Sequence, residues 1–158
     1  HKSLQWIWDM TTLVQNIFYM GLMHDCGKIR VPDSILCKKG KLTDEEFGIM
    51  KTHTTEGAKL LSGFTSIPQI REAVLYHHER YDGRGYPEGL KGEEIPLVAR
   101  ILCVADSFDA MNSNRCYRDR LILEQLRSNR GTQFDPEIAD CMLELLDSGE
   151  ITFHAEET

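Results

Sequence analysis

Fifteen residues from Asp82 to Pro96, DGRGYPEGLKGEEIP, hold four glycines and two prolines and separate two stretches of regular apolar periodicity. In a helix interior each glycine costs about 1 kcal/mol and each proline about 3 kcal/mol relative to alanine, and proline also removes a ladder hydrogen bond from a strand. This segment is therefore a loop, and whatever fold the chain adopts is built on both sides of it.

Both sides read as helix. Leu13, Val14, Ile17, Phe18, Met20 and Leu22 cover a broad face between Thr12 and about His24, a pattern predicting a helix packed on more than one side. Thr43 followed by Glu46 is a capping-box signal, after which Phe47, Met50, Thr54, Gly57 and Leu61 recur at helical spacing with His53 beside them. Pro68 suits the first turn of a helix in which Ile70, Val74 and His77 share a face. Beyond the loop, Val98, Ile101, Leu102 and Ala105 give a helix from Leu97 to Met111 that carries Asp106 within an otherwise apolar face. Asp135 and Pro136 look like a cap and first turn, Ile138, Cys141, Met142 and Leu145 a stripe, and Gly149 a stop. The predicted fold class is all-α, in one domain spanning 1–158.

A length of 158 residues with 41% hydrophobic content suits a single core. The net charge of −7 argues against binding DNA, RNA or an anionic membrane through a general basic surface. An anionic ligand must then meet a local patch or a metal. Five cysteines without a CxxC pair suit reduced thiols and a cytoplasmic setting, and no apolar run reaches the roughly 20 residues of a membrane span. Cys26 and Cys103 fall at apolar helical positions and are read as small hydrophobes.

The chemistry lies in the placement of imidazoles and carboxylates. His24 with Asp25, then His53, His77 and Asp106, stand on or at the ends of four predicted helices, and His78 adds a sixth candidate. Singly, each such histidine is more often a core residue with a hydrogen-bond partner. Together they would require several unrelated coincidences, and a set without thiolates suits Mn, Fe, Zn or Ni. Two adjacent ions bridged by a carboxylate, for which Asp25 is the candidate, would serve phosphoester hydrolysis. Lys28 is placed to neutralise a phosphate oxygen or protonate a leaving group, with a solvated lysine as the plain alternative. Arg115 and Arg118, three apart, either fork onto one phosphodiester or form a solvated basic turn. Tyr86 either stacks on a base or pins the loop.

At these residues the chain resembles the HD-GYP domains. HDCGK at His24–Lys28, the lone His53, HHERYDGRGYP at His77–Pro87, VADSFDAMNSNRCYR at Val104–Arg118 and GTQFDP at Gly131–Pro136 follow that family's order, over about Asn16 to Leu146. The resemblance implies an HD-superfamily helical bundle with a metal centre between helices, and hydrolysis of cyclic di-GMP to pGpG or GMP. It implies His24, Asp25, His53, His77, His78 and Asp106 as ligands of two divalent ions, iron or manganese before zinc or nickel. Asp25 and Lys28 become catalytic candidates, and Lys28, Tyr86, Arg115 and Arg118 become substrate contacts. A protein partner at the GYP loop and a larger regulatory protein around the domain are further expectations.

Two departures stand out. Family members commonly carry a further upstream histidine, for which only His1 is available, so a third metal is not expected. The stretch RDRLILEQ from Arg118 to Gln125 is shorter than the family's usual connection, and an interruption of the chain is expected near Leu121 and Ile122. The rival readings are an inactive HD-GYP binding module, an HD phosphohydrolase acting on another nucleotide, and a helical interaction domain with incidental histidines.

Overall fold

The computed structural model describes residues 2–113 and 119–153, with side chains from residue 9 onward. The elements are α1 (Lys2–Met23), α2 (Asp33–Leu36), α3 (Asp44–Leu60), α4 (Ile70–Tyr76), α5 (Leu97–Asn112), α6 (Asp119–Ser128) and α7 (Pro136–Asp147), with 3-10 turns at Cys26–Arg30 and Gly92–Glu94. The all-α expectation holds: no strand occurs among the described residues. The chain divides between His77 and His78 into two compact units.

In the first unit α3 is the central element, packed on the Cys26–Arg30 turn and on α4, while α1 packs on α4. Thr43 starts α3 as its sequence predicts: its hydroxyl accepts from the Glu46 N–H at 3.2 Å, and the Glu46 carboxylate accepts from the Thr43 N–H at 2.8 Å. The core gathers Met20, Val31, Ile35, Ala58, Leu61, Ile70, Ala73 and Val74. Gly27 and Gly57 let the backbones meet. A Cβ on Gly27 would lie 1.9 Å from the His53 carbonyl oxygen, and one on Gly57 would meet the Val74 side chain at 2.7 Å.

Two expectations for this unit are corrected. α1 begins at Lys2, well before Thr12, and it is not packed on more than one side: Met20 is buried, but Leu13, Val14, Phe18 and Leu22 are exposed. The apolar arc is wider than the neighbours in this unit can cover. Pro68 does not open α4, because Gln69 at φ 62° stands between them in the left-handed region and the helix starts at Ile70.

The second unit is built on α5, α6 and α7, which pack pairwise. Cys103, Val104, Phe108, Ile122, Leu126, Phe134, Ala139 and Leu146 form its core, and burying one side chain such as Phe134 contributes about 1.5–3 kcal/mol. Asp135 caps α7 by accepting from the N–H groups of Glu137 and Ile138, Pro136 occupies the first turn, and Gly149 at φ 76° follows the helix end. The Asp135 carboxylate also pairs with Arg100 of α5, whose Nε donates to the Ile95 carbonyl. α6 passes through Leu121 and Ile122 as continuous helix, with Ile122 buried, where an interruption was expected.

Candidate metal centre and the loop beside it

The first unit brings His24, Asp25, Lys28, His53 and His77 together. His24 and Asp25 follow the end of α1, His53 lies on the buried side of α3, and His77 caps the C-terminal end of α4. Each imidazole is tied to its own element by the same contact. The Nδ1–H groups of His24, His53 and His77 donate to the carbonyls of Gly21 at 2.6 Å, Met50 at 2.7 Å and Val74 at 2.8 Å, in each case three residues back.

A carbonyl oxygen only accepts, so these contacts place the proton on Nδ1 and leave Nε2 of the neutral ring as a lone pair. Burial favours the neutral form at His53, pushing its pKa down against the smaller upward pull of the Met50 contact and Asp25. The Nε2 atoms of His53 and His77 then face each other at 3.4 Å as two acceptors. Asp25 completes the set: Asp25, His53 and His77 offer ligand atoms within 4.8 Å of one another. Its Oδ1 lies 3.5 Å from His53 Nε2, is buried, and accepts no hydrogen bond among the described residues.

Facing acceptors beside a carboxylate are poorly arranged for one another and well arranged for a cation. Metal–nitrogen distances of about 2.0–2.1 Å put two nitrogens of one ion roughly 3.0–3.4 Å apart, and a histidine ligand typically donates its other N–H to a carbonyl or carboxylate. The residues present therefore fit a divalent metal.

Lys28 reaches back one turn, its Nζ donating to Asp25 Oδ2 at 2.5 Å, while His24 Nε2 lies 3.3 Å from the same oxygen. Burial opposes ionisation of Asp25, yet the hydrogen bond and positive charge of Lys28, joined by those of His24 when its ring is protonated, outweigh it and hold the carboxyl well below the usual carboxylate range. Asp25 is thus an anion, as a metal-binding carboxylate must be. The Cys26 thiol is pushed up by burial and by the Asp25 charge, in keeping with an unreactive small side chain.

The second unit carries His78, Tyr86 and Asp106. Asp106 is half-buried on α5, and burial, with the Asp106 charge, pushes the Cys103 thiol up to about 12. The Asp82–Pro96 loop is held by backbone hydrogen bonds to the segments beside it. The Tyr86 N–H donates to the His78 carbonyl at 3.2 Å, the Asp82 N–H to Thr132, the Tyr81 N–H to Gln133 and the Gly92 N–H to Tyr81. Arg80 forks onto Asp82 at 3.1 and 2.7 Å. The Tyr86 ring sits 5.0 Å from that of His78, tilted by 30°. Arg115 and Arg118 lie outside the described residues.

Sequence reasoning missed Gly27 and Glu79. Gly27 had a signal, a glycine inside HDCGK directly after two ligand candidates. Glu79 had none, because its partners are backbone N–H groups nine and ten residues away, at Glu88 and Gly89.

The sequence pattern of the HD domain matches residues 9–138. Relatives include the cyclic di-GMP phosphodiesterase response regulator RpfG of Xanthomonas campestris pv. campestris, 49% identical over 77% of this chain and 34% of its own length. A cyclic di-GMP phosphodiesterase of Thermotoga maritima is 49% identical over 84% of this chain and 38% of its length. The 3'3'-cGAMP-specific phosphodiesterase 2 of Vibrio cholerae is 40% identical over 77% of this chain and 24% of its length. The chain thus spans between 24% and 38% of the length of these relatives. Among solved structures, a cyclic GMP-AMP specific phosphodiesterase of Vibrio cholerae matches with a TM-score of 0.69 at 18% identity, covering 88% of this chain and 39% of the other, a likeness of fold.

Proposed function

The chain belongs to the HD domain family, in its HD-GYP branch, and on that premise we propose that it is a metal-dependent phosphodiesterase acting on a cyclic dinucleotide, cyclic di-GMP first. The observation that carries this reading is the pair of Nε2 lone pairs on His53 and His77, 3.4 Å apart beside the anionic Asp25. His24, Asp25, His53 and His77 are the proposed ligands in the first unit, and His78 and Asp106 join them from their motif positions. The imidazole and carboxylate donors suit two divalent ions, iron or manganese before zinc or nickel. When bound, such ions lower the pKa of water from 15.7 to about 7 and stabilise the oxygens of an in-line displacement.

The protein's own groups do the rest. Asp25 is held ionised by Lys28 and so stays available as an anionic ligand over the working pH range. Lys28 is half-exposed, so its ammonium can meet a phosphate oxygen or give a proton to the leaving ribose oxygen while remaining anchored on Asp25. Tyr86 is assigned to stack on a guanine, and Arg115 and Arg118 to grip the diester, which a chain of net charge −7 requires. The product is pGpG, with GMP following if the linear dinucleotide is retained. The exposed tip of the loop, Pro87 to Gly89, is where a protein partner would meet it.

The HD pattern runs across the division between the two units, which supports one HD-GYP domain, and the greater length of the relatives supports a larger regulatory protein around it. Among the described residues four cysteines are unbridged and no helix is long and apolar enough to cross a membrane, in keeping with a proposed cytoplasmic setting.

A second reading takes 3'3'-cGAMP as substrate, favoured by the name of the 40% identical relative. Incubation with each cyclic dinucleotide in Mn(II) or Fe(II), followed by chromatography, separates the two. Faster loss of cyclic di-GMP with appearance of pGpG is expected; metal-loaded protein that consumes neither nucleotide would overturn the proposal.

A further inference from the structure

Glu79 is 1% exposed, although nothing in the chemistry above uses it. Its Oε1 accepts from the N–H groups of Glu88 at 2.7 Å and Gly89 at 3.0 Å, and its Oε2 is buried and accepts no hydrogen bond among the described residues. A buried carboxylate with one oxygen unsatisfied costs stability, and for packing alone an apolar side chain of similar size would serve better. What the carboxylate does that an apolar group cannot is hold two consecutive amides.

Those amides lie just past Tyr86 and Pro87. Before Tyr86, Gly85 presses on the same residue: a Cβ there would fall 2.5 Å from Glu79 Cα and 2.3 Å from the Arg80 nitrogen. The Tyr86 N–H is bonded to the His78 carbonyl, one residue before Glu79. The segment Gly85–Gly89 is therefore fastened at both ends to His78–Arg80, and the Tyr86 ring is brought 5.0 Å from the His78 ring.

We propose that Glu79 is a positioning residue for substrate recognition: by clamping the Glu88 and Gly89 amides it fixes the loop that presents the Tyr86 ring to a nucleotide base. This rests on the functional reading above. Glu79 acts through Tyr86, so its effect falls on substrate affinity and not on metal content.

The test is steady-state kinetics of the metal-loaded chain with cyclic di-GMP. Glu79→Ala should raise KM by about tenfold or more, with kcat within about threefold and metal content unchanged. Glu79→Gln keeps an acceptor oxygen for the two amides and should return KM to within about threefold of the parent. If Glu79→Ala does not fold, Glu79→Asp takes its place, since its shorter side chain draws the oxygen away from both amides. Combined with Tyr86→Ala, the Glu79 change should add little to KM, because both remove one device. Unchanged KM, additive effects with Tyr86→Ala, or loss of metal in parallel with activity would each overturn the proposal. If the parent protein hydrolyses no cyclic dinucleotide, the functional reading fails separately. Amide exchange at Glu88 and Gly89 then decides the clamp, and protection unaltered in the Glu79 variants would refute it.

Discussion

His53 Nε2 and His77 Nε2 stand 3.4 Å apart, each on a ring whose Nδ1–H is already given to a carbonyl of its own element. Neutral rings held this way cannot bond to each other, so the contact is favourable only with a positive charge at hand.

Chelation should therefore destabilise the protein. At a free metal concentration of 100 Kd the bound ion contributes about 2.7 kcal/mol to folding, which thermal melts with and without chelator would register as a fall in Tm. His77→Ala should carry about one equivalent less metal and respond less to chelator. A chelator-independent Tm in the parent protein would show that the facing nitrogens hold no ion.

Gly27→Ala should be far costlier than an ordinary glycine replacement, because its methyl meets the His53 carbonyl oxygen at 1.9 Å, in backbone that cannot move aside without carrying the His53 ring. A loss of about 1–3 kcal/mol or more in urea unfolding is expected, with weakened metal affinity. Gly63→Ala is the control: nothing lies within 4 Å of its added Cβ, and its effect should stay within about 0.5 kcal/mol.

Asp135→Ala removes both the α7 cap and the partner of Arg100, and breaking such a buried pair costs about 3–5 kcal/mol. Asp135→Asn retains a good cap residue and loses only the charge. Urea midpoints should rank the parent above Asp135→Asn and Asp135→Asn above Asp135→Ala; equal midpoints for the parent and Asp135→Asn would mean that the ion pair adds nothing, and equal midpoints for the two variants that the cap adds nothing.

Arg115→Ala should leave metal content unchanged and lower kcat/KM by about tenfold or more, the effect of losing roughly 1.4 kcal/mol of charge-assisted contact. Arg118→Lys keeps charge without the bidentate fork and tests geometry separately. Unaltered kcat/KM in both would reduce this pair to a solvated basic turn.

Much of this was legible from local chemistry. Thr43 with Glu46, Asp135 with Pro136, and the glycines of the loop announce their conformations within a few residues, and His24, Asp25, His53 and His77 could be gathered because each closes or lines an apolar helix. Errors arose where a decision depended on something outside the window. Pro68 is a good first-turn residue, yet the left-handed Gln69 cuts it off from α4. The apolar arc of α1 reads as two-sided burial, but Met20 is buried and Ile17 half-buried while the rest of the arc is exposed. Glu79 was invisible because backbone amides have no letter in a sequence; only the folded loop shows which carboxylate they reach.

The tether of each imidazole to the carbonyl three residues before it makes ligand geometry a matter of counting. Within α3, one residue inserted or deleted just before His53 would turn the ring about 100° around the helix axis, away from His77, while leaving the composition of the helix almost untouched. Substitutions along the outer face of α3 are free to accumulate, but changes of length between Thr43 and His53 are not. In this part of the chain spacing is held more tightly than identity.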